Sequence, residues 1–230
     1  MSLHIPKTGG ISLHHVLSNK FGSGFNTAYG KLAAESAKVK NAKHIPTCIH
    51  GHNIIGQYGE LLSRTSSQHW ITFLREPLSG AISFYHFTKK NLNKDPANLL
   101  FEDKGLEAWL LNTKPNKWPF PPGYPMNRYK RAIDQTKKAI NDFDFVGITE
   151  RFDESMLCMY RVFGWEPIHY VSRNQGEYVL PELDSSLIAK FKENNNEDYL
   201  LYDYAVTKLD GLVEGFGVGF QNELKTFQAN

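Results

Sequence analysis

Apolar residues along this chain fall into two alternating kinds of run. Short blocks rich in β-branched and aromatic side chains predict strands over Leu3–Pro6, Ile45–His50, His69–Leu74 and Asp144–Ile148, with a fainter signal over Ile168–Val171. Longer runs with apolar positions three and four apart predict helices over Ile11–Lys20, Pro77–Asn91, Glu154–Phe163, Ser185–Asn194 and Asp198–Glu214. Strands that alternate with helices are the pattern of an α/β three-layer domain with a mainly parallel sheet. Ligands in such sheets bind outside the carboxyl ends of the strands, so the residues just after each strand are the ones to inspect. No repeat or low-complexity tract divides the chain, and residues 1–230 read as a single domain.

The first strand end carries His4-Ile5-Pro6-Lys7-Thr8-Gly9-Gly10-Ile11-Ser12. Two adjacent glycines allow close backbone approach to an anion, successive N–H groups can form a nest, and the next helix presents its positive end. Lys7 adds a point charge, and Thr8 and Ser12 add hydroxyls. In the nucleotide-triphosphate loop the lysine follows the glycines, whereas here Lys7 precedes them, which argues against an ordinary ATP-hydrolysing site. A plain strand-to-helix turn is the competing reading of these residues alone.

A second strand end supplies the complementary chemistry. The run Trp70-Ile71-Thr72-Phe73-Leu74 stops at Arg75, and Pro77 suits the first turn of a helix that would place Ser79 and Ser83 one turn apart. Guanidinium plus hydroxyl suits a phosphate dianion.

Together the two segments resemble the nucleotide-binding halves of the PAPS-dependent sulfotransferases, which use 3′-phosphoadenosine 5′-phosphosulfate as sulfuryl donor. The closest flavour is the carbohydrate branch, the heparan sulfate 2-O-sulfotransferase-like enzymes and related bacterial sulfotransferases. The resemblance implies that Lys7, Thr8, Gly9, Gly10, Ile11 and Ser12 hold the 5′-phosphosulfate and that Arg75 with Ser83 holds the 3′-phosphate. The stretch Asp142 to Ser155 and the late Asn195-Asn196-Glu197-Asp198-Tyr199-Leu200-Leu201-Tyr202 look typical of the same branch. It also implies a P-loop fold related to the nucleotide kinases. Arg173, in Arg173-Asn174-Gln175-Gly176, falls where related enzymes have a late loop near the donor.

Between the two motifs lies Cys48-Ile49-His50-Gly51-His52-Asn53. The two-residue repeat of a strand directs His50 and His52 to one side, and the resembling enzymes use a histidine of such a His-Gly-His to deprotonate the acceptor. His52 is favoured as base, with His50 as substrate contact or substitute base. A zinc half-site and a purely structural pair are the alternatives; the chain has two cysteines and no third ligand at convincing spacing, so no metal is expected. His14, His15, His44, His69, His86 and His169 read as ordinary surface or core residues.

The implied reaction is in-line sulfuryl transfer from PAPS to a hydroxyl of a carbohydrate-like acceptor. Adenosine 3′,5′-bisphosphate leaves, and Lys7 stabilises the charge that builds on it. An ATP-dependent kinase and a non-catalytic bisphosphate-binding module are the other function classes carried forward. Glu150 reads as a structural ion pair before it reads as an orienting group. The segment Trp118 to Pro125 reads as a packed loop or, alternatively, an acceptor-side platform of aromatic rings.

Composition narrows the partners. Lys plus Arg number 26 against 24 Asp plus Glu, a net charge of +2, which excludes a dedicated nucleic-acid binder with a strong basic excess. Lys89-Lys90 and Lys137-Lys138 read as solvated helix faces. Cys48 and Cys158 lack redox or metal spacing and read as buried free thiols, which fits a reducing, cytoplasmic compartment. No apolar run approaches the ~20 residues that span a bilayer, so no membrane partner is expected. Few residues precede the phosphate loop, where a full first strand is expected, and Met1-Ser2-Leu3 reads as a lead replacing a few native residues.

Overall fold

A computed structural model describes residues 1–29, 46–52, 67–91, 104–112, 137–138, 140–168, 170 and 182–229. Arg173, His44, His169, Asn53 and the Trp118–Pro125 stretch lie outside them. Among the described residues five strands form one sheet: β1 (Ser2–Leu3), β2 (Phe25–Ala28), β3 (Cys48–Gly51), β4 (Ile71–Leu74) and β5 (Phe145–Ile148). The order across the sheet is β2-β3-β1-β4-β5, and every pairing is parallel. All four residues of β3, β4 and β5 are buried, as a parallel sheet covered on both faces requires.

The helices are α1 (Gly10–Phe21), α2 (Pro77–Lys90), α3 (Leu106–Asn112), α4 (Phe152–Phe163), α5 (Ser185–Asn194), α6 (Asn196–Phe216) and α7 (Gly219–Ala229). Helix α1 packs on β2 and β3, while α4 and α6 pack on β5 and α7 lies against α4. Being covered from the sheet side and from α6 and α7, α4 buries Ser155 through Tyr160 without interruption. That explains a helical segment apolar around its circumference.

Several boundaries differ from the sequence expectation. The first strand ends at Leu3 rather than Pro6: His4 N–H still donates to Gly51 O at 3.0 Å, but Pro6 has no N–H and Lys7 turns into the left-handed region, which ends the ladder. Ile168 and Tyr170 are not in a strand. Three elements carried too little signal. Edge strand β2 buries only Ala28, α3 packs mainly through Leu110, and α7 shows its stripe of Phe220, Leu224 and Phe227 only at wide spacing. Both cysteines are buried free thiols, and burial pushes Cys48 up to about 11 and Cys158 up to about 12, which makes them unreactive.

Among the described residues β5 pairs only with β4, and the helix that follows it supplies a further partner. Ser155 Oγ accepts from Ile148 N–H at 2.9 Å and lies 3.2 Å from Ile148 O, fully buried. Replacing Ser155 with Ala leaves that buried N–H unsatisfied, so urea denaturation of Ser155→Ala should show a loss of about 1–3 kcal/mol; an unchanged midpoint would mean that the hydroxyl is not the partner.

Candidate functional site

Strand β1 lies between β3 and β4, with Leu3 opposite Gly51 on one side and Thr72 on the other. The connection after β1 leads through α1 to β2 on one flank, and the connection after β4 leads to β5 on the other. Their divergence is the topological switch point at which α/β sheets bind ligands. The Lys7 loop, the His-Gly-His segment and Arg75 therefore leave the sheet side by side.

The loop is held from beneath. Lys7 has φ 70°, a left-handed conformation rare for a residue with a side chain, and Gly9 follows with φ 76°. Arg75 Nη1 donates to Lys7 O at 3.0 Å, so the two segments are joined directly. The Lys7 ammonium lies 4.6 Å from the Phe87 ring centroid, on the helix that also carries Ser83. Burial, and then the charge of Arg75, hold Lys7 below the usual ammonium range.

The packing around the loop gives the glycines a physical reason of its own. A Cβ on Gly9 would come within 2.7 Å of the Phe152 ring, and one on Gly10 would come within 1.8 Å of His4 Nε2. Both positions are emptied by aromatic rings packed over the loop. Thr8 is buried and its hydroxyl donates to Ile5 O at 2.8 Å, so that proton is committed to the backbone and Thr8 offers a ligand only its N–H.

The two helix N-termini at the site differ. Glu76 caps α2, its Oε2 accepting from Ser79 N–H at 2.6 Å, which fills that end with a carboxylate. Helix α1 starts at Gly10 with no side-chain cap and no acidic residue in its first turn. Only α1 leaves its first-turn N–H groups, including those of Gly10, Ile11 and Ser12, without a competing carboxylate.

Arg75 is placed to reinforce that end. Its Nε is buried and makes no hydrogen bond among the described residues, and Glu150 Oε1 is 3.7 Å from it. Glu150 is fixed in turn by Glu76 N–H at 3.1 Å and by the Tyr202 hydroxyl at 3.0 Å, the structural role read for it from sequence. Ser83 is buried on α2, and Ser79 lies one turn before it.

The histidines sit on the other side of the loop. The strand repeat does direct His50 and His52 the same way, since both rings stack on His4, at 5.2 Å and 15° and at 4.6 Å and 21°. Their environments differ sharply. His50 is fully buried; its Nδ1 accepts from the Ser2 hydroxyl at 2.8 Å and its Nε2–H donates to Gly10 O at 3.2 Å. With both nitrogens used and no exposed surface, His50 ties β1, β3 and the loop together. Exposed His52 donates Nδ1–H to His4 O at 2.5 Å, which leaves the lone pair on Nε2, the tautomer of a base. Burial holds His52 below the usual imidazole range, while the bond to His4 O works the other way.

His4 and its partner Tyr29 were not singled out by the sequence, and His14, read as ordinary, stands edge-on to His50 at 5.8 Å. Stacked rings do not converge their nitrogens, and among the described residues no group of three or more His, Cys, Asp or Glu side chains is arranged to hold a metal. No helix among the described residues is long and apolar enough to cross a membrane. No protein-family model matches the chain, and no curated protein matches it.

Two measurements check this geometry. The left-handed turn at Lys7 costs a side-chain-bearing residue about 1–2 kcal/mol, so Lys7→Gly should be more stable than Lys7→Ala by about that amount in parallel denaturations. Equal stabilities would mean that the turn is relaxed. The second concerns pH. Burial lowers His50 from 6.5 to about 3 and His4 from 6.5 to about 2, so both are neutral when folded and take up protons on unfolding. The unfolded state then binds more protons below 6.5. Stability should fall as pH drops from about 6.5 toward 3, by about 1.4 kcal/mol per pH unit for each ring. Urea midpoints should show this slope, and His50→Gln should flatten it; a flat wild-type profile would contradict neutral buried rings.

Proposed function

We propose that the chain is a PAPS-dependent sulfotransferase with a P-loop kinase-like fold, acting on a hydroxyl of a carbohydrate-like acceptor. The observation that carries this reading is the Arg75 to Lys7 carbonyl bond. It joins the two segments that resemble the donor-binding halves of that family, beside a histidine poised as a base. The uncapped N-terminus of α1 and the orphaned Arg75 Nε fit a ligand carrying phosphate groups at two points.

The donor supplies a sulfuryl group on a good leaving group, and the residues of this chain do the rest. Lys7 and the first-turn N–H groups of α1 hold the phosphosulfate, and Arg75 with Ser83 holds the 3′-phosphate. His52 Nε2 removes the acceptor hydroxyl proton as its oxygen bonds to sulfur. The bridging S–O bond breaks, its electron pair stays on the bisphosphate, and Lys7 stabilises the charge gathered there. The lowered imidazole range of His52 favours a neutral base. No step in this scheme uses a metal.

Calorimetric titration with adenosine 3′,5′-bisphosphate, beside ATP with magnesium, tests the donor site. The bisphosphate should bind in preference, and Arg75→Ala should weaken it. In a sulfate-transfer assay across sugars, Lys7→Ala should lower turnover more than donor affinity, and His52→Ala should lower it by roughly a hundred- to ten-thousandfold. Absence of bisphosphate binding, or equal affinity for ATP, would overturn the reading in favour of a kinase-like site.

A further inference from the structure

His4 touches His52 in two independent ways. Its backbone carbonyl accepts the Nδ1–H of His52 at 2.5 Å, and its ring lies face to face with the His52 ring at 4.6 Å and 21°. The ring of His4 is itself held by two further contacts. It also stacks on His50 at 5.2 Å and 15°, and its Nδ1 is 2.7 Å from the Tyr29 hydroxyl. Tyr29 also stands edge-on to His52 at 4.9 Å and 83°, so one tyrosine braces both rings. Below, the His4 ring fills the space over Gly10 in which a Cβ would sit, so it cannot slide toward the loop.

We propose that His4, braced by Tyr29, is the positioning residue that presents His52 to the acceptor hydroxyl with Nε2 as the basic nitrogen. This role rests on the sulfotransfer reading above. The register explains why His4 is suited to it: Leu3 pairs with Gly51, so the next residue on each strand brings His4 alongside His52. The carbonyl fixes the tautomer, and the ring fixes the plane. When His52 takes the hydroxyl proton on Nε2, the positive charge is shared with Nδ1–H, which still points at the His4 carbonyl oxygen. The same contact that selects the tautomer stabilises the protonated product.

The groups facing this pair must not oppose that charge. Around His4 they are His50, His52, Lys7, His14 and Tyr29; around His52 they are His4, His50 and Tyr29. Lys7 is the one fixed cation among them. His4 and His50 stay neutral in the working range, held at about 2 and about 3 by burial, so the stack adds no second charge beside His52.

Imidazole nitrogen NMR on the purified protein without donor tests the hold, and the pH profile of turnover tests its use. Wild-type His52 should appear as the Nδ1–H tautomer, titrating below 6.5. His4→Ala keeps the carbonyl but removes the stacked ring. It should mix the His52 tautomers, move the His52 midpoint and the acid limb of kcat upward, and lower kcat up to about a hundredfold, with bisphosphate affinity unchanged. His4→Phe restores a flat ring without nitrogens and should recover the tautomer and most of the turnover. Tyr29→Phe should loosen the His4 ring, broaden its signals and cause a smaller loss. If His4→Ala does not fold, the other two variants carry the same comparison. A wild-type His52 of mixed tautomer, or a His52 signal and acid limb unmoved in every variant, overturns the proposal. Intact NMR behaviour without bisphosphate binding supports the hold of His4 on His52 and counts against the donor site alone.

Discussion

Everything at this site depends on the parallel direction of the five strands. A parallel ladder sends each strand's carboxyl end to the same edge, so the residues after β1, β3, β4 and β5 emerge together although they are far apart in sequence. Strand β1 occupies the centre, with β3 and β4 as its neighbours. That order sets the Lys7 loop between a histidine side and an arginine side, and it makes the two sides chemically distinct. On one, imidazoles stack on one another; on the other, a guanidinium, two glutamates and two tyrosines form a charged, hydrogen-bonded network.

Strain and packing are concentrated in the loop itself. Lys7 adopts a conformation that suits glycine, while the glycines that follow are required by rings from elsewhere in the chain, Phe152 from α4 and His4 from the end of β1. Distortion at a candidate functional site, sustained by well-packed surroundings, is the usual economy of such sites. The bond from Arg75 to Lys7 O provides part of that support, so Arg75 is a structural element of the loop as well as a candidate anion ligand.

Much of this was legible in the chain. Buried parallel strands are nearly continuous apolar runs, so β3, β4 and β5 stood out, and the helices after β1 and β4 announced themselves by their phosphate-like leads. The expected α/β class with a mainly parallel sheet is found as a wholly parallel one among the described residues. Edge strand β2 was not legible because its residues are half-exposed and owe their extended form to pairing with β3. His50 and His52 were found as a pair, yet their division into a buried tie and an exposed ring depends on Ser2 and Gly10 closing over one of them, which no spacing reveals. His4 was missed for the same reason. Its importance comes from register, and a single sequence does not display which strands are neighbours.

The ring of His4 resting on bare Gly10 has a bearing on descent. The two positions share one volume, so each limits the other: a side chain at position 10 demands that the imidazole vacate its place, and loss of the imidazole opens a hole that a side chain at 10 would fill. Lineages of this chain should therefore inherit the two positions as a correlated pair. A pair so close in sequence would ordinarily be taken for one short motif, when it records a contact across the end of a strand.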